Sequence, residues 1–210
     1  MYLRLTSRCN MSCEHCAFSC GARGKDMTRD IFEAALRLNG ERDDPLTLGG
    51  GEPTLHPQFW EFFGAAVAAS DSEFPVAIVT NGKNKNIAIA LAKMAKSGCI
   101  HAALSQDYWH ERIDYEVVQA FTKPHREHSW GSTDNDCREI RNVSNGVVSI
   151  GRAKKNQLGT RDHCVCDCIV VEPTGRLWEC GCRKRNFGTV FAPAIPDNYW
   201  EKDTRCSRAA

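Results

Sequence analysis

Three cysteines near the N-terminus have the spacing to hold a metal cluster. They lie in Arg8-Cys9-Asn10-Met11-Ser12-Cys13-Glu14-His15-Cys16, with three residues in the first gap and two in the second. Three thiolates can occupy three irons of a four-iron cluster and leave the fourth without a protein ligand. An open iron can take a substrate or cofactor, so such a cluster is a reagent as well as an electron carrier. Zinc is the alternative chemistry. Zinc loops pair cysteines two to four apart and need a fourth ligand, which Cys20 can supply here.

The elements that position these cysteines follow from hydrophobic patterning. Met1–Thr6 reads as a short strand, and the cysteine loop starts just after it. Further short apolar runs are Leu46–Leu48, Phe74–Val79, Ile100–Leu104 and Val147–Ile150. Each is followed by a polar or glycine-rich motif: Gly49-Gly50-Gly51-Glu52-Pro53, Thr80-Asn81-Gly82, Ser105-Gln106-Asp107 and Gly151-Arg152-Ala153. Helical patterns fill the gaps. One runs from Thr28 as N-cap to Gly40, one starts at Pro57, one spans Ile87 to Lys96 and one is capped by Asp114. Strands alternating with helices imply βαβ units and a parallel sheet. In β/α barrels the loops at the strand C-terminal ends build the active site, and all these motifs fall there. Asn145-Gly146 suits a hairpin turn between Ile140–Ser144 and Val147–Ile150.

The cysteine spacing resembles the signature of the radical S-adenosylmethionine (radical SAM) superfamily, Cys-x3-Cys-x-aromatic-Cys, with His15 in the aromatic position. Gly49, Gly50, Gly51, Glu52 and Pro53 resemble the superfamily's Gly-Gly-Glu-Pro turn, which contacts the amino group of S-adenosylmethionine. Physically, glycines let backbone approach a ligand with no Cβ in the way. Thr80 and Asn81 resemble its third-strand Thr-Asn-Gly. Ser105 and Asp107 resemble the Ser-x-Asp that faces the cofactor's ribose and carboxylate. Arg152 resembles an arginine in a Gly-Arg-Ala turn of relatives with an extra cluster domain, placed to fork onto the cofactor carboxylate. Each of these three also has an ordinary reading, as a turn, a helix cap or a surface arginine.

The C-terminal fifty residues differ in character. Cys164, Cys166 and Cys168 precede Ile169–Trp178, which reads as a strand, a Pro173-Thr174-Gly175 turn and a returning strand, and Cys180-Gly181-Cys182 follows. The spacing from Cys164 through Gly175 to Cys180 resembles the opening motif of the SPASM and twitch domains, which carry auxiliary clusters. A zinc ribbon is the alternative, although zinc knuckles favour two residues between paired cysteines where this chain has one. Cys164, Cys168, Cys180 and Cys182 are the ligand candidates, with Cys166 and Cys206 as replacements.

The fold expected is α/β: a shortened partial (β/α) barrel of the radical SAM type over residues 1–158, and a small cysteine-rich C-terminal β-hairpin domain over residues 159–210. A complete barrel needs about 250 residues, and only about 160 precede the second cysteine group. The resemblance implies a [4Fe-4S] cluster on Cys9, Cys13 and Cys16, S-adenosylmethionine, an auxiliary [4Fe-4S] cluster and an electron donor such as flavodoxin or ferredoxin. It also implies reductive cleavage of the cofactor to a 5′-deoxyadenosyl radical that abstracts hydrogen from a substrate. Basic patches at Arg152–Lys155 and Arg183–Arg185 favour a peptide or protein substrate. A small-molecule dehydrogenase or epimerase is the alternative, and a non-catalytic zinc protein the second. The net charge of +1 gives no general pull toward nucleic acid. No apolar run approaches the ~20 residues that span a membrane, and the twelve cysteines without a signal peptide suit a reduced, cytoplasmic compartment.

Overall fold

The computed structural model describes residues 1–70, 74–123, 135–142, 147–159 and 168–197. Five parallel strands form one half of a single sheet: β1 (Tyr2–Thr6), β2 (Thr47–Gly50), β3 (Ala77–Thr80), β4 (His101–Ser105) and β5 (Arg138–Arg141). Helices α1 (Arg29–Arg42), α2 (Phe59–Ala69), α3 (Lys85–Lys96) and α4 (Tyr115–Phe121) separate them, and a short helix α5 (Gly151–Lys155) follows. The chain then adds β6 (Val170–Val171) parallel to the other edge of β1, and β7 (Arg176–Trp178), β8 (Asn186–Thr189) and β9 (Ala192–Pro193) continue antiparallel. The spatial order is β5-β4-β3-β2-β1-β6-β7-β8-β9.

Register assigns the two faces. Leu3 pairs with Leu48 and Val171, Leu48 with Ile78, Ile78 with Ala102, and Ala102 with Arg138. In-register neighbours share a face. Its apolar members are buried in one core with Phe32, Ala35, Phe62, Leu91 and Val117 of the helices. Phe32 and Phe62 stack with centroids 4.1 Å apart, locking α1 to α2. The alternate row is Val170, Tyr2, Thr47, Ala77, His101 on one line and Arg4 with Gly49 on the next. It faces away from the helices, and its small side chains leave an open cavity of ≈ 450 Å³ bordered by Thr47, Ala77, Val79, His101, Ala103 and Arg141.

The fifth strand is not where patterning puts it. Val147–Ile150 forms no strand, and its Val147 is simply buried. Arg138–Arg141 pairs with β4 instead. The Asn145-Gly146 turn lies outside the described residues. Arg138 is buried in that strand because Asp136 takes its guanidinium at 2.6 Å and the Ala120 carbonyl accepts from it at 2.6 Å. Helix α1 also runs past Gly40 and stops at Asp43, which takes the left-handed conformation with φ 52°.

Candidate active site

The cysteine loop leaves the end of β1 and is pinned from several sides. The Ser7 amide donates to the Lys25 carbonyl at 2.9 Å, and the Cys9 amide to the Gly21 carbonyl at 2.7 Å, so the loop closes on itself. Cys9, Cys13 and Cys16 are all half-buried. Backbone and amide N–H groups approach their sulfurs: Met11 N at 3.4 Å and Asn81 Nδ2 at 3.6 Å from Cys9 Sγ, and Cys20 N at 3.4 Å from Cys16 Sγ. N–H donors aimed at sulfur stabilise thiolate charge. Burial pushes the Cys9 thiol up to about 11 and raises that of Cys13. A hydrogen bond from the Cys20 thiol lowers that of Cys16. A bound metal centre provides the positive charge that keeps such buried ligands deprotonated.

The donor set fits an iron–sulfur cluster with three protein thiolates. Cys20, the fourth cysteine of a zinc reading, is buried and takes the Arg4 guanidinium on its sulfur at 3.2 Å. Among the described residues, the group whose ligand atoms converge within 4.8 Å of one another contains none of these cysteines; it is His15, Asp107 and His110.

The glycine turn lies against this loop. A Cβ on Gly51 would stand 2.1 Å from the Arg8 carbonyl oxygen and 3.1 Å from Cys9 Cβ, so only glycine allows that approach. Gly50, at φ 154°, would meet the Thr6 carbonyl at 2.4 Å. Pro53 starts a short 3-10 turn that Glu52 caps. The Glu52 carboxylate is fully buried and points inward. It accepts from Thr54 Oγ1 at 2.7 Å, Thr80 Oγ1 at 2.8 Å and the Asn81 amide at 2.7 Å. Burial raises its pKa, and these donors partly offset the rise. Glu52 thus brackets the ends of β2 and β3. Asn81, held by this bracket, reaches Asn10 Oδ1 at 2.9 Å as well as Cys9.

Past β4, Ser105 is half-buried, and Asp107 turns back on its own loop. Asp107 Oδ1 accepts from the Trp109 amide at 2.8 Å and lies 2.7 Å from His110 Nδ1. The His110 ring stands edge-on to His15, with centroids 4.7 Å apart. Desolvation, and then the His110 neighbour, push the His15 pKa down to about 4, so the ring is neutral at physiological pH. Glu111 takes the Ser12 amide at 2.9 Å and pairs with Lys83. The β4 loop therefore grips the cysteine loop at two points.

Arg152 grips it from the other side. Its guanidinium donates to the Cys13 carbonyl at 2.8 Å and to the Cys20 carbonyl, while its amide donates to the Cys16 carbonyl at 2.9 Å. Gly151, at φ 56°, comes so close that a Cβ would sit 2.1 Å from the Ala17 carbonyl. The basic group that sequence directs at a ligand carboxylate is spent here on backbone carbonyls.

Reasoning from sequence missed Arg4. It is 2% exposed, donates to Glu172 at 2.6 Å and to Cys20 Sγ, and lies 4.0 Å from the Phe18 ring centroid. Glu172 also takes Arg183 at 3.4 Å. The signal was present as one charged residue inside an otherwise apolar strand, a placement stable only with a buried partner.

In the C-terminal hairpin, Val170 faces Trp178 and Val171 faces Leu177. Two residues further out, that register sets Cys168 opposite Cys180. Cys180 is buried, and Cys182 lies in the turn where the Arg183 amide returns to the Cys180 carbonyl at 3.0 Å. Cys164, Cys166 and Cys206 lie outside the described residues. Because Val170 pairs with Tyr2, Cys168 and Cys180 lie toward the start of β1, at the end opposite the one from which the N-terminal cysteine loop leaves.

A family model described as the radical SAM superfamily matches residues 3–150. The mycofactocin maturase MftC of Mycobacterium ulcerans is 36% identical over 105 residues, covering 49% of this chain and 27% of the relative. MftC of Mycolicibacterium smegmatis is 30% identical over 146 residues, 67% of this chain and 33% of the relative. The chain thus spans a third or less of these curated relatives. The fold is shared with BtrN in complex with AdoMet and 2-DOIA (TM-score 0.62, 16% identity, 96% of this chain and 81% of that one). It is shared too with anSMEcpe with bound AdoMet and Kp18Cys peptide (TM-score 0.57, 13% identity, 96% and 80%). No helix among the described residues is long and apolar enough to cross a membrane.

Proposed function

Because the chain belongs to the radical SAM superfamily, we propose that it binds a [4Fe-4S] cluster on Cys9, Cys13 and Cys16 and modifies a peptide or protein substrate with S-adenosylmethionine. The observation that carries this reading is the contact between the three-thiol loop and the glycine turn at Gly51. It supports the reading because it seats the glycine turn directly against the loop that carries the three thiols. When bound, the cluster supplies one electron to the sulfonium and so generates a carbon radical that removes hydrogen from the substrate. A flavodoxin- or ferredoxin-class donor provides that electron.

The remaining work belongs to this chain. Gly49, Gly50 and Gly51 offer backbone groups to the cofactor's amino end. Glu52, Thr80 and Asn81 fix that turn against the loop, and Ser105, at the next strand end, would face the ribose. Arg152 sets the carbonyls around Cys13 and Cys16 and so orients the thiolates. The sheet face turned from the helices, read as the inside of a shortened β/α barrel, gives the substrate its chamber, and the loops over it keep water from the reacting atoms. Residues 1–158 form this core. Residues 159–210 form a twitch-like module whose Cys164, Cys168, Cys180 and Cys182 hold an auxiliary cluster that docks substrate or accepts an electron from it. That the curated relatives are maturases supports the peptide reading over a small-molecule one.

Counting iron and acid-labile sulfide in anaerobically reconstituted full-length protein tests this. A Cys9, Cys13, Cys16 triple alanine variant keeps roughly four irons if one cluster sits on the hairpin, and adding Cys180→Ala removes most of them. Zinc without sulfide in the parent protein contradicts the proposal.

A further inference from the structure

We propose that His15, Asp107 and His110 form a mononuclear site for a borderline divalent transition ion such as Zn²⁺ or Co²⁺. Each offers one ligand atom, and the three atoms lie within 4.8 Å of one another. The chemistry is two imidazoles and one carboxylate, a set that suits zinc and non-haem iron and leaves coordination positions open. None of the three is a thiolate, so the site is separate from the cysteine donors on either side of it. Its existence does not depend on the radical reading.

Three observations support a ligand-binding rather than a purely packing role. His15 Nδ1 is buried and has no hydrogen-bond partner, a lone pair or proton left without use. The two histidines come from different segments, His15 from the cysteine loop and His110 from the loop after β4, and their rings meet at the site rather than stacking along one element. The carboxylate is also oriented as a ligand should be: the Trp109 amide fixes Asp107 Oδ1 at 2.8 Å, the kind of supporting bond that aims metal-binding carboxylates.

Loading requires the three ligand atoms, now within 4.8 Å of one another, to draw together. Ligand bonds of ~2.0–2.2 Å set neighbouring ligand atoms ~3–3.5 Å apart. His110 Nδ1 and Asp107 Oδ1 lie 2.7 Å apart. An ion entering there is held by the neutral imidazole whose proton is on Nε2, which leaves Nδ1 as the ligand atom. The ion then ties the cysteine loop to the β4 loop where His15 and His110 already meet, beside the Ser12–Glu111 bond. Asp107 is on this account a metal ligand rather than a cofactor contact.

The test uses the full chain, anaerobic, with its cysteines first loaded with iron and sulfide so that free thiols do not compete. The protein is incubated with Co²⁺ and desalted, and cobalt and iron are counted by mass spectrometry. One cobalt per chain is expected. His15→Phe keeps an aromatic ring in that position, and His110→Gln acts from the other loop. Each should weaken cobalt binding at least tenfold, since even loss of a supporting residue costs 10–100-fold, while iron content stays at the parent value. Circular dichroism checks that each variant folds, and either one alone decides the question. No retained cobalt in the parent, or parent-level retention in either folded variant, overturns the site.

Discussion

Replacing Glu52 separates a residue that touches the cofactor from one that braces the fold. Its carboxylate accepts four hydrogen bonds: from the Thr54 amide at 3.3 Å, Thr54 Oγ1 at 2.7 Å, Thr80 Oγ1 at 2.8 Å and the Asn81 amide at 2.7 Å. Glu52→Ala leaves the two backbone amides buried without an acceptor, at about 1–3 kcal/mol each, partly offset by removing a desolvated carboxylate. A net loss of about 3 kcal/mol is expected, or about 6–12 °C in melting temperature for a chain of this size. Glu52→Gln keeps the oxygen that serves the Thr54 and Thr80 donors and loses only the Asn81 bond, so its loss should be about half as large.

The pH dependence has a definite sign. Burial raises the folded-state pKa of Glu52 above its ordinary 4.5. The stability it contributes is therefore fully present below that value and declines as pH rises through the raised one. The gap between parent and Glu52→Gln should be widest in acid and narrow toward neutrality. Thermal unfolding by circular dichroism, run on metal-free protein across that range, reads both effects. A Glu52→Ala variant melting within about 2 °C of the parent, below the shift expected from even 1 kcal/mol, refutes the bracing role.

Other expected outcomes follow from the same contacts. Arg152→Ala removes two charge-assisted bonds from the cysteine loop, at about 1.5–3 kcal/mol each, and should lower iron content along with cofactor affinity. Iron at the parent level with only weaker S-adenosylmethionine binding, read by equilibrium dialysis, would return Arg152 to a cofactor contact. Arg4→Met should destabilise by about 1–3 kcal/mol, because Glu172 loses its 2.6 Å partner and keeps only Arg183 at 3.4 Å. The Arg4→Met, Glu172→Leu double variant should recover most of that loss in chemical denaturation, and a double variant no better than the single contradicts the pairing. Gly51→Ala should cost cofactor binding and cluster assembly together, since its Cβ collides with the Arg8 carbonyl. Normal iron in that variant would show that the turn yields without moving the loop.

The parallel strands β1 to β4 were legible because each is a short apolar run ending in glycine or polar residues, and the motifs mark their C-terminal ends. β5 was not. Arg138-Glu139-Ile140-Arg141 has one apolar residue, and its buried arginine is accommodated by the Asp136 carboxylate and the Ala120 carbonyl from outside the strand. Val147–Ile150 carries the stronger strand pattern, yet it leads into α5, with Ile150 as that helix's N-cap and only Val147 of its apolar residues buried. The three cysteines and the glycine turn were visible as motifs. The direction of each side chain was not: Glu52 turns inward, Arg152 takes backbone carbonyls, and Asp107 takes His110. Those choices depend on which carbonyls and amides the fold leaves without partners, and that is set by long-range contacts no local pattern records.

The account rests on Cys9, Cys13 and Cys16 holding a cluster that activates S-adenosylmethionine. The direct measurement is 5′-deoxyadenosine formed by anaerobically reconstituted protein given dithionite and S-adenosylmethionine, compared with the Cys13→Ala variant. The parent should release 5′-deoxyadenosine even without substrate, and the variant, missing one thiolate of the three, should release none. Equal release from both, or none from an iron-loaded parent, contradicts the claim.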